Sequence, residues 1–490
     1  MPEMILPGTY IEVRAEKLIA PGPIAIGNIG IVGTARQGRL ADPNDPTTVY
    51  NPTNIGEARE FFGNSDPLVD PARPAGTREF TLIRALELAF ANGAQRVFAV
   101  RVAAVGGVAA TATVGPITFT ALASGDGYND YIFEVDDSGT ANFVNLTITK
   151  GSKTESWRNV PNDGAKFVLV INGKDPNYSY GSLSSTGGKS LLFSAAGTGP
   201  VAPTALPPAN PPKSAGGTGG AAAGATEYTS GLAALENQDV HIVVLAGQSS
   251  TVMATALKQH VTNTSGDLMR RERIGVIGSD PSNTTAALLA PGQVGQDEGR
   301  IVFVGPGIQM ADSATPDSRE VNLTGSYAAA AVAGLISSLD PHVSPTNKTI
   351  VADGLEKKFN GTELEQLVMG RVLALEEKLG SIRIVRGVTS SSNTAWAQIT
   401  TRRIVDYARF GTRAAANPFI GKLNNDRVRQ AMKGSINSLL ADMVDREMLV
   451  SYSLDVSATR EQEIRGIALV TMVLRPTFSI DYIRVVMYLE

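Results

Sequence analysis

Three glycines, Gly27, Gly30 and Gly33, and three histidines, His241, His260 and His342, are the residues of this 490-residue chain that first invite a chemical reading. A glycine-rich turn cradles phosphate when a G-x-G-x-x-G spacing joins a strand to a helix, because backbone N–H groups then point at the anion. Here the spacing is G-x-x-G-x-x-G and it runs along an apolar strand over residues 24–32, so glycines for close strand contacts and a turn fit it better. The sequence has neither a G-x-x-x-x-G-K-[ST] phosphate loop nor a G-x-S-x-G nucleophile elbow. His241 falls in a buried strand, His260 late in a helix and His342 beside Pro341, and their spacings match no metal-ligand pattern. The expectation is therefore no catalytic residue, no metal and no cofactor.

Composition narrows the class further. There is no cysteine, which excludes disulfides and thiolate metal sites and fits synthesis in a reducing compartment. A net charge of −4 implies no polyanionic partner, hence no nucleic acid. The start, Met1-Pro2-Glu3-Met4-Ile5-Leu6, lacks a basic stretch followed by an apolar run, so no secretory signal is expected. The bland run over 327–336, with four consecutive alanines, is too short to span a bilayer and reads as a buried helix. A soluble chain or a soluble assembly follows, with no direct membrane insertion.

The elements that would position any site follow from periodicity. Residues 7–14 alternate like an exposed strand, and Pro21-Gly22-Pro23 breaks them. Residues 77–92 have helical spacing, Asn92-Gly93 ends them, and 97–102 form a short apolar strand suited to a parallel sheet buried on both faces. From 106 to 231 strand-like runs (117–121, 131–135, 143–150, 166–172) alternate with turns, and 200–231, rich in Pro, Gly and Ala, reads as a mobile loop. The α/β pattern resumes with strands at 240–245, 273–277 and 301–304 and a helix at 250–263. Helices are expected at 363–379, 394–413 and 424–446, the last capped by Asn424, Asn425 or Asp426, and strands at 448–456 and 464–474. This predicts an α/β chain. A doubly wound core (24–105 and 232–344) carries an inserted all-β domain (106–231). An α+β C-terminal assembly domain (345–475) follows, with extended arms at 1–23 and 476–490.

The informative surfaces are contacts rather than clefts. After Pro476, residues 478–490 form an apolar strand with no obvious place in the chain: Ile483, Val485, Met487 and Leu489 fall on one face, Ile480, Tyr482, Val486 and Tyr488 on the other. Such a segment aggregates unless a sheet edge accepts it, so it completes a sheet of its own chain or adds a strand to a neighbour. Burying four or five of its side chains gives on the order of 10 kcal/mol at ~1.5–3 each. Ordering the backbone costs roughly 1–2 kcal/mol per residue and ladder bonds return ~0.5–1.5 each. The balance is near zero, as befits an arm that orders only on assembly. On the helix over 394–413, Trp396, Ile399, Tyr407 and Phe410 share one face and Arg402, Asp406, Arg409 and Arg413 another, a basic stripe that is either a solvated face with local ion pairs or a docking surface for an acidic partner. On the next helix Val428, Met432, Ile436, Leu439 and Met443 make the core face. Gly434, Asn437, Ser438 and Ala441 lie opposite, and Arg427 and Arg429 sit near its start.

The order of these parts resembles the tail sheath proteins of contractile bacteriophage tails and related contractile injection systems. The residues that carry the likeness are Pro7-Gly8-Thr9-Tyr10-Ile11-Glu12, then Ile29-Gly30-Ile31-Val32-Gly33, Thr401-Arg402-Arg403-Ile404, Asn417-Pro418, and a closing strand hairpin, proline and apolar strand. The resemblance implies hexameric rings stacked in a helical sleeve around an inner tube, whose contraction drives the tube through a target cell envelope without nucleotide. It implies that arms of neighbouring copies (Thr9, Tyr10, Ile11, Val13; Ile480, Tyr482, Ile483, Val485, Met487, Leu489) add strands to a hairpin formed by 448–456 and 464–474. It implies tube contacts through basic side chains, by analogy Arg402, Arg409 and Arg413, then Arg427, Arg429 and Lys433. Expected partners are further copies of the chain, the inner tube protein, and baseplate and tail terminator proteins. The expected location is a virion tail or an extracellular or cytoplasmic contractile particle made in a bacterial host cytoplasm. The alternatives from other classes are an α/β hydrolase-like enzyme with a β insertion and a non-contractile lattice protein.

Overall fold

The computed structural model describes residues 27–68, 80–103, 106–151, 153–178, 189–203, 211–219, 223–281, 284–290, 299–315, 317 and 319–487. Thr9, Tyr10, Ile11 and Val13 of the expected N-terminal arm, and Tyr488 and Leu489 of the C-terminal one, lie outside the described residues. In chain order come β1 (Ile29–Thr34), β2 (Val49–Tyr50), α1 (Ile55–Phe62), α2 (Thr81–Ala91) and β3 (Val97–Val102). Then follow β4 (Ala109–Val114), β5 (Ile117–Ser124), β6 (Ile132–Asp137), β7 (Phe143–Lys150), β8 (Lys153–Pro161), α3 (Gly164–Ile171), β9 (Phe193–Gly197) and α4 (Ala225–Leu235). Next are β10 (Ile242–Ser249), α5 (Ser250–Thr264), β11 (Ile274–Gly278), α6 (Thr285–Leu288), β12 (Ile301–Gly305), β13 (Ile308–Ala311), β14 (Glu320–Leu323) and α7 (Gly325–Ser338). The last are β15 (Thr349–Ile350), β16 (Gly354–Leu355), α8 (Gly361–Met369), β17 (Leu373–Lys378), β18 (Ser381–Ile384), α9 (Ile399–Ala416), α10 (Asp426–Asp445), β19 (Leu449–Ser457), α11 (Arg460–Ile464) and β20 (Leu469–Pro476).

The fold is mixed α/β with several sheets. The largest has nine strands in the order β15-β18-β17-β12-β11-β10-β1-β3-β2, parallel from β17 through β3 and antiparallel at both margins. Its central strands are apolar on both faces because both faces are covered. Ile29, Ile31, Val97, Ala99, Ile242 and Val244 point into one core with α2 and α7, while Val32, Phe98, Val100, Val243 and Leu245 point into another with α4 and α5. The alanine run of α7 is buried all round, and its small side chains let it lie close on α2: a Cβ at Gly334 would run into the Ala89 carbonyl. No described helix is long and apolar enough to cross a membrane.

Between 106 and 219 two three-stranded antiparallel sheets, β4-β5-β9 and β6-β7-β8, enclose a third core around Phe119, Phe133, Trp157, Phe167 and Phe193. Two sequence expectations fail here. Residues 166–172 are not a strand: 166–171 lie in α3, whose N-terminus is capped by Asp163 and which ends at Asn172, and Phe167, Val170 and Ile171 turn one helical face into that core. Nor is 200–231 a mobile loop throughout. Residues 211–219 bridge the two sheets through Ile132 with Lys213, Thr111 with Ala215 and Val108 with Thr218, and α4 begins at Ala225.

The expected helix over 363–379 is also corrected. It stops at Met369, Arg371 takes a left-handed backbone conformation, and 373–378 become β17, because the open edge of β12 offers a parallel ladder that outweighs the helical propensity of Leu-Ala-Leu-Glu-Glu-Lys. Described residues form two compact units, 27–402 with 481–487 and 403–480. The second contains most of α9, then α10, capped by Asn425 of the three candidates, and the antiparallel hairpin of β19 and β20; the strand expected over 464–474 starts only at Leu469, because 460–464 form α11 with Thr459 as its cap. The expected strand after Pro476 does not form within the chain: residues 477–487 are irregular and pair in no described ladder.

Candidate assembly surface

In an open parallel sheet, ligands bind outside the carboxyl ends of the strands, where neighbouring crossovers leave in opposite directions. That place lies between β1 and β10, and buried hydroxyls fill it. The Thr34 amide donates to Thr81 Oγ1 at 3.1 Å, Thr81 Oγ1 lies 3.1 Å from the Tyr228 hydroxyl, and Tyr228 donates to the Ala246 carbonyl at 2.7 Å. Thr34, Thr81 and Tyr228 are all buried. The chain thus spends the usual crevice on packing three elements together. Gly30 and Gly33 sit in β1 against Val240 and Leu82, as close-contact glycines do. Among the described residues no group of three or more His, Asp or Glu could hold a metal. His260 is buried against Arg273 and His241 lies near Asp239.

The unit 403–480 presents a different opportunity. The β19–β20 hairpin packs one face inward through half-buried Tyr452, Leu454, Val470, Met472 and Leu474 and buried Val456. It is tied down by Tyr452 Oη to Asn437 Oδ1 at 2.8 Å and Lys433 Nζ to Asp455 Oδ1 at 3.5 Å. Its sheet has two strands, so both outer edges lack a described partner. A two-stranded ribbon with open edges is marginal alone and a template for further strands. The segment beyond it supplies the matching chemistry. Phe478, Ile480, Tyr482, Ile483, Val485, Val486 and Met487 are all exposed, several beyond 80%. Runs of exposed large apolar residues mark interaction sites. At the root of this segment Asp481 is held by Arg386 Nε at 2.8 Å and Gln398 Nε2 at 3.1 Å.

The basic candidates divide. Arg402 does not belong to a solvated stripe: it is buried, with its guanidinium 3.6 Å from the Trp396 ring centroid, because Trp396 lies in a separate helical turn before α9 and folds over it. Of the expected apolar face, Ile399 and Tyr407 are buried, joined by Ile404, Ala408 and Ala415, whereas Phe410, expected inside, is exposed. Arg429 also turns inward. It bonds Asn424 Oδ1 at 2.9 Å, Glu463 Oε1 at 3.0 Å and Asp426, and the Asp426 and Glu463 carboxylates hold its charge more firmly. Its place near the start of α10 is thereby neutralised internally. Arg409 and Arg413 are half-buried, Lys433 is half-buried beside Asp455, and Arg427 is exposed. Sequence reasoning missed the anchoring pair Arg386 and Gln398, for which a basic or amide residue beside a loop gives no signal.

Comparison with known proteins adds three findings. The phage tail sheath protein central domain matches residues 221–390 and the phage tail sheath C-terminal domain matches residues 391–490. The tail sheath protein of Bacillus phage SP01 is 29% identical over 167 residues, which is 33% of this chain and 28% of that relative, so the match spans less than a third of the relative's length. Among solved structures, the sheath tail protein of Listeria innocua (14% identical) aligns over 94% of each chain with a TM-score of 0.67. The contracted sheath complex of an extracellular contractile injection system, PVC, is 12% identical and aligns over 100% of this chain and 99% of its own, with a TM-score of 0.55. At such identities these two structures establish a shared fold.

Proposed function

The chain belongs to the phage tail sheath protein family, and on that premise we propose that it is a structural subunit of a contractile tail sheath. It polymerises as stacked hexameric rings around an inner tube and shortens to drive that tube through a target envelope. The observation that carries this reading is a hairpin, β19–β20, whose two outer edges have no partner among the described residues, in a chain that also exposes an apolar strand-forming segment at 478–487. Strand addition satisfies both: the edge gains ladder bonds and the segment loses exposed apolar area. The N-terminal residues Thr9, Tyr10, Ile11 and Val13 fill the same role from another copy. Because every connection between copies is then a covalently continuous chain in a shared sheet, the polymer can change pitch without dissociating.

The protein works without catalysis, as a component of a virion tail or an extracellular contractile particle. Its partners are copies of itself, the inner tube protein, and baseplate and terminator proteins. The tube-facing cations are Arg409, Arg413, Arg427 and Lys433; Arg402 and Arg429 serve the fold. The core reads as doubly wound (24–105 and 223–402) with 106–219 inserted, since α4 packs on the large sheet and β15, β17 and β18 extend it. The assembly domain narrows to 403–475, since β15, β17 and β18 pair within the large sheet. Electron microscopy of the purified protein tests the reading. Long uniform tubes, with two diameters across preparations, are expected; flat sheets or closed shells favour a static lattice, and hydrolytic turnover by a monodisperse monomer favours the hydrolase alternative.

A further inference from the structure

The segment after β20 is a competitor for the very edge it should leave open to another copy. β20 ends at Pro476, and a five-residue connection, 477–481, is long enough for a hairpin turn. Residues 482–487 would then pair antiparallel with the outer edge of β20, with Val485 opposite Val473. Both valines are exposed, and the residues that would meet are strand formers. A short tether gives the segment a millimolar effective concentration at its own hairpin, far above that of a neighbour in dilute solution. Yet 482–487 are in no ladder.

Asp481, the last residue of that would-be turn, is engaged elsewhere. Its side chain is 7% exposed, and Oδ2 accepts from Arg386 Nε at 2.8 Å and from Gln398 Nε2 at 3.1 Å. The Arg386 guanidinium lies 5.4 Å from the Tyr482 ring centroid, so it grips two consecutive residues. Together with Thr346, Leu364 and Val368 of an adjoining cleft of about 660 Å³, these residues fix where the segment emerges. Turning Asp481 into a hairpin loop would part its buried carboxylate from the half-buried Arg386 guanidinium and cost a charge-assisted bond.

We infer that Arg386 and Gln398 are positioning residues that, through Asp481, keep residues 482–487 from capping their own β20 edge and so reserve both for a second copy of the chain. This rests on the strand-exchange reading above and adds the device that favours exchange over self-closure. The chain has no cysteine, so a disulfide probe is clean. A chain with Val473→Cys and Val485→Cys is oxidised at a dilution where no polymer sediments. Adding Asp481→Ala is expected to raise the intramolecular disulfide roughly tenfold, the scale for loss of one charge-assisted bond. In the cysteine-free chain, Asp481→Ala is expected to lower polymer yield with the circular dichroism unchanged, and Asp481→Arg with Arg386→Asp to restore it. An unchanged disulfide yield, or polymer equal to that of the parent, overturns the inference. Removing 482–490 separates the two levels. If polymer persists without those residues, strand exchange itself fails; if it vanishes while Asp481→Ala polymerises normally, only the positioning role fails.

Discussion

Arg273 donates from Nη1 to Nε2 of His260 across 2.9 Å, with both side chains buried. The same guanidinium reaches the carbonyls of Leu235, the last residue of α4, and of Glu236 and Gln238 just past it, closing the end of that helix from two elements away. An arginine only donates, so Nε2 of His260 accepts and the imidazole is neutral. Burial first, and then the Arg273 charge, push its pKa from 6.5 down to about 3.

The sign of the resulting pH dependence is fixed. Between pH 6.5 and about 3 the unfolded chain binds a proton at His260 that the folded chain refuses, so stability falls as the pH is lowered through that range. The slope from this one group reaches at most about 1.4 kcal/mol per pH unit. Urea midpoints between pH 7 and 5 are expected to decline, and His260→Gln, which keeps an acceptor but cannot charge, is expected to flatten the decline.

Arg84 and Asp312 form a buried ion pair at 3.0 Å, with side chains 4% and 1% exposed. Burial raises the Asp312 pKa, but amides of Leu68 and Ala314 and the Arg84 charge outweigh it and hold the carboxyl below its usual range. Asp312→Ala leaves an uncompensated buried guanidinium and should cost about 3–5 kcal/mol by chemical denaturation. The pair's contribution is present above the ordinary aspartate pKa and is lost as pH falls below it.

Tyr228→Phe removes the hydroxyl that joins Thr81 to the Ala246 carbonyl. A buried acceptor is left unmet, so a loss of about 1–3 kcal/mol is expected with α4 and the sheet otherwise intact. A variant as stable as the parent would show that water enters between β1 and β10.

Deleting 480–490 removes exposed apolar residues and the anchoring Asp481, but none of the three cores. Thermal unfolding is expected to shift little while sedimentable tubes disappear.

Reversing charge at Arg409, Arg413 and Arg427 is expected to weaken assembly on the inner tube without unfolding the chain. Adding salt screens such contacts, so the parent's assembly on the tube should weaken between 0.05 and about 0.5 M, where the Debye length shrinks several-fold, and the reversed variant should lose less. Arg402→Glu should behave differently. Its guanidinium is stacked on Trp396 in a buried place, so the variant should lose folded protein first.

What could be read from the chain follows from local physics. β3 was legible to the residue because a strand covered on both faces is a continuous apolar run, and α10 because Asn425 and its apolar spacing need no distant partner. The hairpin β19–β20 and the apolar run beyond Pro476 were legible for the same reason, as alternating strands and as large apolar residues with no face to cover them. Other features depended on what arrived from far along the chain. Residues 164–171 are a helix, not a strand, since a third core had room for one face of it; 373–378 are a strand, since β12 had an open edge. Arg84 meets Asp312 across 228 positions, and Asp481 meets Arg386 across 95. Periodicity states which face of an element avoids water, whereas the direction in which Arg402 or Asp481 turns is set by a partner's place in space, which no local pattern encodes.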